Sequence, residues 1–196
     1  MRPDQLVLAI DTSAAHCAAA LLCGDRVAVR VEEMAKGQAE RLVPMVTELL
    51  AAEGFVMADV GLIGVGVGPG NFTGIRIAVA LARGLALGLG VPAIGVTGFD
   101  AAQTEGAEWV VLPAPRGQVY AQRFLPGPEA ALILEPGAVP GGRVAYLADR
   151  PVADFVVAIA RLAQARAGGA QPRPAPFYLR GADAAPASDP PPVILP

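Results

Sequence analysis

Residues 62–90, LIGVGVGPGNFTGIRIAVALARGLALGLG, leave few folds open. Positions 62–67 hold only aliphatic residues and glycine, without polar alternation, which predicts a central strand covered on both faces. Gly68-Pro69-Gly70-Asn71 then breaks the strand. Pro69 fixes φ, the flanking glycines admit positive φ, and Asn71 or Thr73 offers a cap for the helix that follows. That helix, expected over 73–89, carries Arg76 and Arg83 as its charges. Ala80, Gly84 and Gly88 fall at i, i+4 and i+8, a small-residue groove that another helix can approach closely. A core or a partner must cover this surface.

Composition points toward a partner. The chain is 54% apolar and 17% charged, with a mean hydropathy of +0.48, an unusual balance for a monomer with a fully solvated surface. A membrane span is not expected. The stretch 84–99 is bounded by Arg83 and Asp100, contains Pro92, and falls short of the ~20 apolar residues a span requires. The opening MRPDQLVLAID runs directly into a strand without a signal-peptide pattern, so a cytoplasmic protein is expected. Cys17 and Cys23 share one strand face, too far apart to bridge, and read as reduced thiols. The net charge is −3 and basic residues are scattered, which argues against direct nucleic-acid binding.

In chain order, strands are expected at 5–12, 16–23 and 27–32, joined by tight turns into an antiparallel meander. A helix follows over 38–53, with Leu42, Met45, Val46, Leu49 and Leu50 on one stripe and Pro44 near its first turn. After the 62–90 stretch come a strand at 92–96 and a helix starting at Thr97. This β-β-β-α-β-α-β order is that of a ribonuclease-H-like lobe, the unit of the actin/hexokinase/Hsp70 superfamily. The expected class is therefore α/β, actin-like, with a first lobe at 1–100. The remainder reads as a reduced second lobe at 101–182. It has a hairpin of strands 109–112 and 118–125, a Pro/Gly-broken segment at 126–142, a strand at 143–147 and a helix at 152–167. Phe177-Tyr178-Leu179-Arg180 forms an aromatic anchor, and 183–196 is a proline-rich tail.

Two places suggest ligand chemistry. Asp11-Thr12-Ser13 ends the first strand facing a cleft, where Asp11 is either a metal or phosphate contact or a turn former bonding its own backbone. No glycine follows it, which favours the turn. The helix N-terminus at GPGNFTG presents backbone N–H groups to an anion. Asp11, Thr12, Gly68, Gly70, Asn71 and Thr73 are thus the candidate nucleotide or anion contacts, although the Lys-Ser/Thr of a phosphate loop is missing. Arg76 sits unfavourably for the helix dipole and is expected to reach a carboxylate or a partner. The chain has a single histidine, His16. No metal site or Ser-His-acid triad is expected around it, because its neighbours offer no support. Glu32, Glu33, Glu40 and Asp59 read as solvated faces. No catalysis by the isolated chain is expected.

LAIDTSAAHCAAAL, QAERLVPMV, VGVGPGNFTGIRIAVALARGLALG and PFYLR together resemble the TsaB (YeaZ) family. The resemblance implies an actin-like subunit without catalysis or cofactor of its own. Such a subunit pairs with a larger paralogue, TsaD, which carries a metal-bound transferase site, and with the small ATPase TsaE. ATP and the divalent metal then belong to the partners. Threonylcarbamoyl passes from its adenylate to the adenosine beside the anticodon of ANN-decoding tRNAs, and tRNA is reached indirectly through the complex. Pairing uses two helices of each partner as a four-helix bundle, and a similar surface supports homodimers in isolation. Carried onto this sequence, the interface comprises Leu42, Met45, Val46, Leu49, Arg76, Ala80, Arg83, Gly84, Leu87 and Gly88.

Three departures stand out. Gln38 occupies a position where the family often has His, upstream of Glu40-Arg41-Leu42-Val43-Pro44. The hairpin Pro113-Ala114-Pro115-Arg116-Gly117-Gln118-Val119-Tyr120 lacks the family's Asp and first Arg. The second lobe is short. The alternative reading is an independent nucleotide-binding enzyme of the actin/hexokinase superfamily using Asp11 and the Gly70 turn; a peptidase is disfavoured by the single histidine.

Overall fold

The computed structural model describes residues 5–169 and 171–179. Its first sheet is built from β1 (Leu6–Asp11), β2 (His16–Cys23), β3 (Arg26–Glu33), β4 (Val60–Gly66) and β5 (Ala93–Val96). The strand order is β3-β2-β1-β4-β5. The first three strands form the antiparallel meander, and β4 and β5 run parallel to β1. The unalternating β4 lies inside the sheet, where both of its faces are covered.

Two helices, α1 (Gln38–Ala52) and α2 (Phe72–Leu89), cover one face of this sheet. The opposite face is covered by α4 (Val152–Arg166), through Phe155, Val156, Ile159, Ala160 and Ala163. This corrects the lobe assignment, because α4 belongs by sequence to 101–182 but closes the core of the first sheet. Gly64 on β4 makes the approach possible. A Cβ there would stand 2.9 Å from the Ala163 Cβ and 3.2 Å from the Ile159 carbonyl oxygen.

After the short α3 (Gly98–Ala102), capped by the Thr97 side chain, the chain builds a second sheet. It comprises β6 (Trp109–Pro113), β7 (Val119–Arg123), β8 (Leu132–Leu134) and β9 (Val144–Tyr146), in the order β8-β7-β6-β9. The sequence reading missed β8, three residues set among prolines and glycines, too short to show a period of its own. The fold is thus α/β and actin-like, with an abbreviated second sheet. Pro44 lies well inside α1 rather than in its first turn, on the solvent side, where water can reach the Glu40 carbonyl that it leaves without a helical donor. The proline-rich 183–196 and Arg180 lie outside the described residues.

Candidate functional site

The glycine-rich turn is a joint between β1, β4 and α2. Gly68 has φ 96°, in the left-handed region that favours glycine. Asn71 caps α2, its Oδ1 accepting from the Gly74 N–H at 2.8 Å, while its own N–H donates to the Ser13 carbonyl at 2.7 Å. The cap is Asn71, not Thr73. A Cβ on Gly70 would collide with the Ser13 carbonyl oxygen, and one on Gly74 with that of Thr12. The Thr12 hydroxyl closes the joint by donating to the Gly74 carbonyl at 2.6 Å. These glycines admit backbone carbonyls rather than an anion, since carbonyl oxygens carry the wrong partial charge to share a phosphate cradle.

Asp11 and Thr12, named above as ligand contacts, are fully buried, which corrects the expectation that they face a cleft. Asp11 Oδ1 accepts from the Ser13 N–H at 3.0 Å and hydroxyl at 2.9 Å, and lies 2.8 Å from His16 Nε2. Its Oδ2 is buried without a partner and lies against Gly66. The turn-forming role of Asp11 therefore holds, and His16 does have a supporting neighbour, contrary to expectation. The arrangement is nevertheless not a nucleophilic triad. Serine and histidine both bond the same carboxylate oxygen, whereas a general base must stand between nucleophile and acid. Among the described residues, no three His, Cys, Asp or Glu side chains cluster to hold a metal.

A cleft of about 710 Å³ opens beside this joint, lined by Ser13, Gly70, Asn71, Pro113, Tyr120 and Tyr178 among others. The late aromatic segment forms its rim. The Phe177 N–H donates to the Val67 carbonyl at 2.8 Å, and the Tyr178 ring lies 4.8 Å from that of Phe72. Among the described residues Arg76 reaches no carboxylate. Its Nε donates to the Tyr178 hydroxyl at 2.9 Å, and its guanidinium lies 3.7 Å from the centre of the Phe72 ring. A cation–π contact of this exposed kind contributes about 0.5–1 kcal/mol. Nothing in helical periodicity announced this latch; the only signal was an aromatic pair inside a proline-rich stretch.

The candidate interface divides sharply. Leu42, Met45, Val46 and Leu49 are at most 6% exposed and pack against the chain's own sheet. Their assignment to a partner surface is corrected, because the stripe that makes α1 amphipathic is the stripe its own core consumes. The face α1 turns outward holds Val43, Pro44, Thr47 and Glu48. On α2, Ile75, Ala78, Val79 and Ala82 face inward, whereas Arg76, Ala80, Arg83, Gly84, Leu87 and Gly88 are exposed. Leu87 is 86% exposed, and a Cβ at Gly84 or Gly88 would meet nothing within 4 Å. Among the described residues, α2 is also long and apolar enough to cross a membrane by length and composition. The earlier choice of 84–99 misplaced that stretch, because the helix begins at Phe72.

Charges flank the α1 face. Arg41 donates to Glu32 on β3 at 2.6 Å through two nitrogens and to Glu48 at 2.7 and 2.8 Å, and Arg30 bonds both carboxylates. Glu32 is therefore part of a network rather than a bare solvated face. The Arg41 hydrogen bonds hold the Glu48 carboxyl at about 2 and lower that of Glu32. Gln38, buried at the start of α1, donates to the Ala14 and His16 carbonyls at 2.8 and 2.7 Å. It ties α1 to the β1–β2 turn.

Comparison with known proteins agrees with this architecture. Residues 29–126 match the family described as tRNA N6-adenosine threonylcarbamoyltransferase, TsaD. The chain is 36% identical over 121 residues to the tRNA threonylcarbamoyladenosine biosynthesis protein TsaB of Escherichia coli, covering 58% of this chain and 52% of that protein. The match thus spans about half the length of the E. coli relative. An uncharacterized protein of Mycobacterium tuberculosis is 37% identical over 92% of this chain and 94% of its own length. The solved structure of YeaZ from Pseudomonas aeruginosa superposes with a TM-score of 0.69 at 29% identity, covering 89% of this chain and all of that one. A second structure, of a protein described as similar to the peptidase YeaZ from P. aeruginosa, gives a TM-score of 0.72 at 29% identity over 90% of this chain.

Proposed function

The chain belongs to the TsaB (YeaZ) family, and on that premise we propose that it is a non-catalytic scaffold subunit for threonylcarbamoyladenosine formation on tRNA. It pairs with a TsaD-type threonylcarbamoyltransferase and works with a TsaE-type ATPase; ATP and a divalent metal are held by those partners. The tRNA is engaged through the complex, at the adenosine beside the anticodon of ANN-decoding tRNAs, in the cytoplasm. In the absence of the transferase the same surface joins two copies of this chain.

The observation carrying this reading is the outward face of α2, where Ala80, Gly84, Leu87 and Gly88 lie open on an apolar helix. A groove of small residues lets a second helix come close enough for backbone-to-backbone packing. A pairing surface of ordinary size buries about 1,600 Å² in total, enough to cover this face and the outward side of α1. The match to the transferase family over 29–126 supports a paralogous partner, since related chains present related helices.

Reconstitution tests the proposal. The purified chain, its TsaD-type paralogue and the TsaE-type ATPase are combined with threonylcarbamoyl-adenylate and tRNA, and modified adenosine is counted by mass spectrometry. Product is expected only when this chain and the paralogue are both present. A paralogue fully active without this chain, or one that never co-elutes with it, refutes the scaffold role. Calorimetric titration of the isolated chain with Mg-ATP is expected to give no heat of binding; micromolar binding would instead favour the nucleotide-binding enzyme.

A further inference from the structure

Resting on the scaffold reading, we infer that a second contact lies at the far end of α2: a pocket along the outer edge of β5 that receives an extended, acidic segment of the same transferase-type partner. The exposed face of α2 does not stop at the helix. Arg83, Gly84 and Leu87 also line a pocket of about 600 Å³, floored by Val91 and Ile94 and closed on its other side by Gln171 and Arg173.

Charge and backbone together select the occupant. Among the described residues no Asp or Glu lines the pocket. Neither the Arg83 nor the Arg173 side chain has a hydrogen-bond or ion-pair partner among the described residues, in contrast to Arg30 and Arg41 on the α1 side. Two unpaired guanidiniums beside apolar walls concentrate positive potential on a chain whose net charge is −3. The pocket also reaches the start of β5, the outermost strand of its sheet among the described residues, at Pro92, Ala93 and Ile94. The Pro92 and Val96 carbonyls point inward, accepting from the N–H of Ile63 on β4 and of Val67 just beyond it. Strand alternation therefore turns the N–H and C=O groups of Ala93 outward into the pocket, whereas the chain's own Pro174 packs beside Gly95. An extended peptide satisfies such an edge by adding a strand, its apolar side chains entering the pocket and its carboxylates meeting the arginines. A polynucleotide fits less well, because no aromatic side chain lines the pocket to stack a base.

Affinity for the purified paralogue is measured by calorimetry at low and high salt, alongside hydrogen exchange of the complex. Arg173→Glu is expected to weaken pairing about tenfold and to flatten its salt dependence, with Arg173→Lys close to wild type. The Ala93 amide and its neighbours in the pocket are expected to slow on binding. Arg173 is exposed and free of intrachain bonds, so the variant's melting temperature should not move. If Arg173→Glu pairs within twofold of wild type while Ala80→Leu, on the exposed α2 face outside the pocket lining, abolishes pairing, the pocket proposal is overturned and the scaffold reading stands. If Arg173→Glu weakens pairing and Ala80→Leu does not, the pocket stands and the α2 groove falls. Slowed amides with an indifferent Arg173→Glu overturn the acidic character of the segment. Amides slowed by tRNA instead of the paralogue overturn the choice of partner, and pairing insensitive to every variant overturns both proposals.

Discussion

Replacing Gly84 by leucine should separate the stability of this chain from its assembly. Within the monomer the substitution has room, since a Cβ at position 84 meets no atom within 4 Å and the residue is exposed. Glycine inside a helix costs roughly 0.5–1 kcal/mol relative to a good helix former, so the variant should melt at the wild-type temperature or a few degrees above it. In the complex the same leucine stands where a partner helix must come to within about 8 Å of the α2 axis. Forcing an extra side chain into a packed contact costs about 1–3 kcal/mol, and separating the helices forfeits neighbouring contacts at Ala80 and Gly88 as well. A total near 3 kcal/mol is a loss of about 150-fold in affinity. Thermal melting and calorimetric titration against the paralogue, on one preparation, read both quantities. Affinity within twofold of wild type would refute the face assignment. A drop of several degrees in melting temperature would refute the claim that position 84 is open.

Four further outcomes follow from the interior. Met45→Ala should cost about 2–5 kcal/mol in urea unfolding yet leave the affinity of the folded fraction unchanged, because Met45 is wholly buried in the chain's own core; a loss of affinity without a loss of stability would restore α1's apolar stripe to the interface. Asp11→Ala removes the acceptor for both Ser13 and His16 and should destabilise the fold by about 1–3 kcal/mol; Mg-ATP titrations should be identical for wild type and variant. Burial raises the Cys17 thiol to about 11, so iodoacetamide near neutral pH should leave it unmodified until urea unfolds the chain; rapid native labelling would contradict its position under α1. The carboxyls of Glu32 and Glu48 are held below the unfolded value of 4.5, that of Glu48 at about 2. Depressed folded values give stability that is present above about pH 4.5 and lost as pH falls toward 2. Arg41→Ala should flatten that part of the melting-temperature profile, and an unchanged slope would sink the network's role.

The elements were legible because periodicity reports which face is buried. Residues 16–23 form a strand of those bounds, and α1 and α2 begin and end within a residue of expectation. Periodicity cannot say what does the burying. Leu42, Met45, Val46 and Leu49 carry the same pattern whether a partner or the chain's own sheet lies above them, and here the sheet does. On α2 the inward stripe of Ile75, Ala78, Val79 and Ala82 is likewise taken up by the sheet. The helix's outward residues Ala80, Gly84 and Gly88 stood out because small residues on a helix have no reason to recur at that spacing within a solvated surface. Contacts between distant segments left almost no local trace. The Asp11–His16 pair needs β1 and β2 to be antiparallel neighbours, and the Arg76–Tyr178 latch joins residues more than a hundred positions apart.

The bonds around the glycine-rich turn work against a phosphate at the start of α2. A phosphate at a helix N-terminus needs the first N–H groups to face empty space. In this chain the Asn71 N–H is bonded to the Ser13 carbonyl, the Gly74 N–H to the Asn71 side chain, and the Ser13 and Thr12 carbonyl oxygens crowd Gly70 and Gly74. Each bond spends a donor that a phosphate would use, and each carbonyl adds negative potential where a phosphate would sit. The same bonds fix α2 to the end of β1, so that the direction of the helix is set by the sheet. Such rigidity favours docking, because a face already held in place loses little freedom when a partner arrives. On the proposed scaffold role, the glycines that suggested ligand chemistry serve assembly: Gly70 and Gly74 fix the start of the helix, and Gly84 and Gly88 leave its outer face bare.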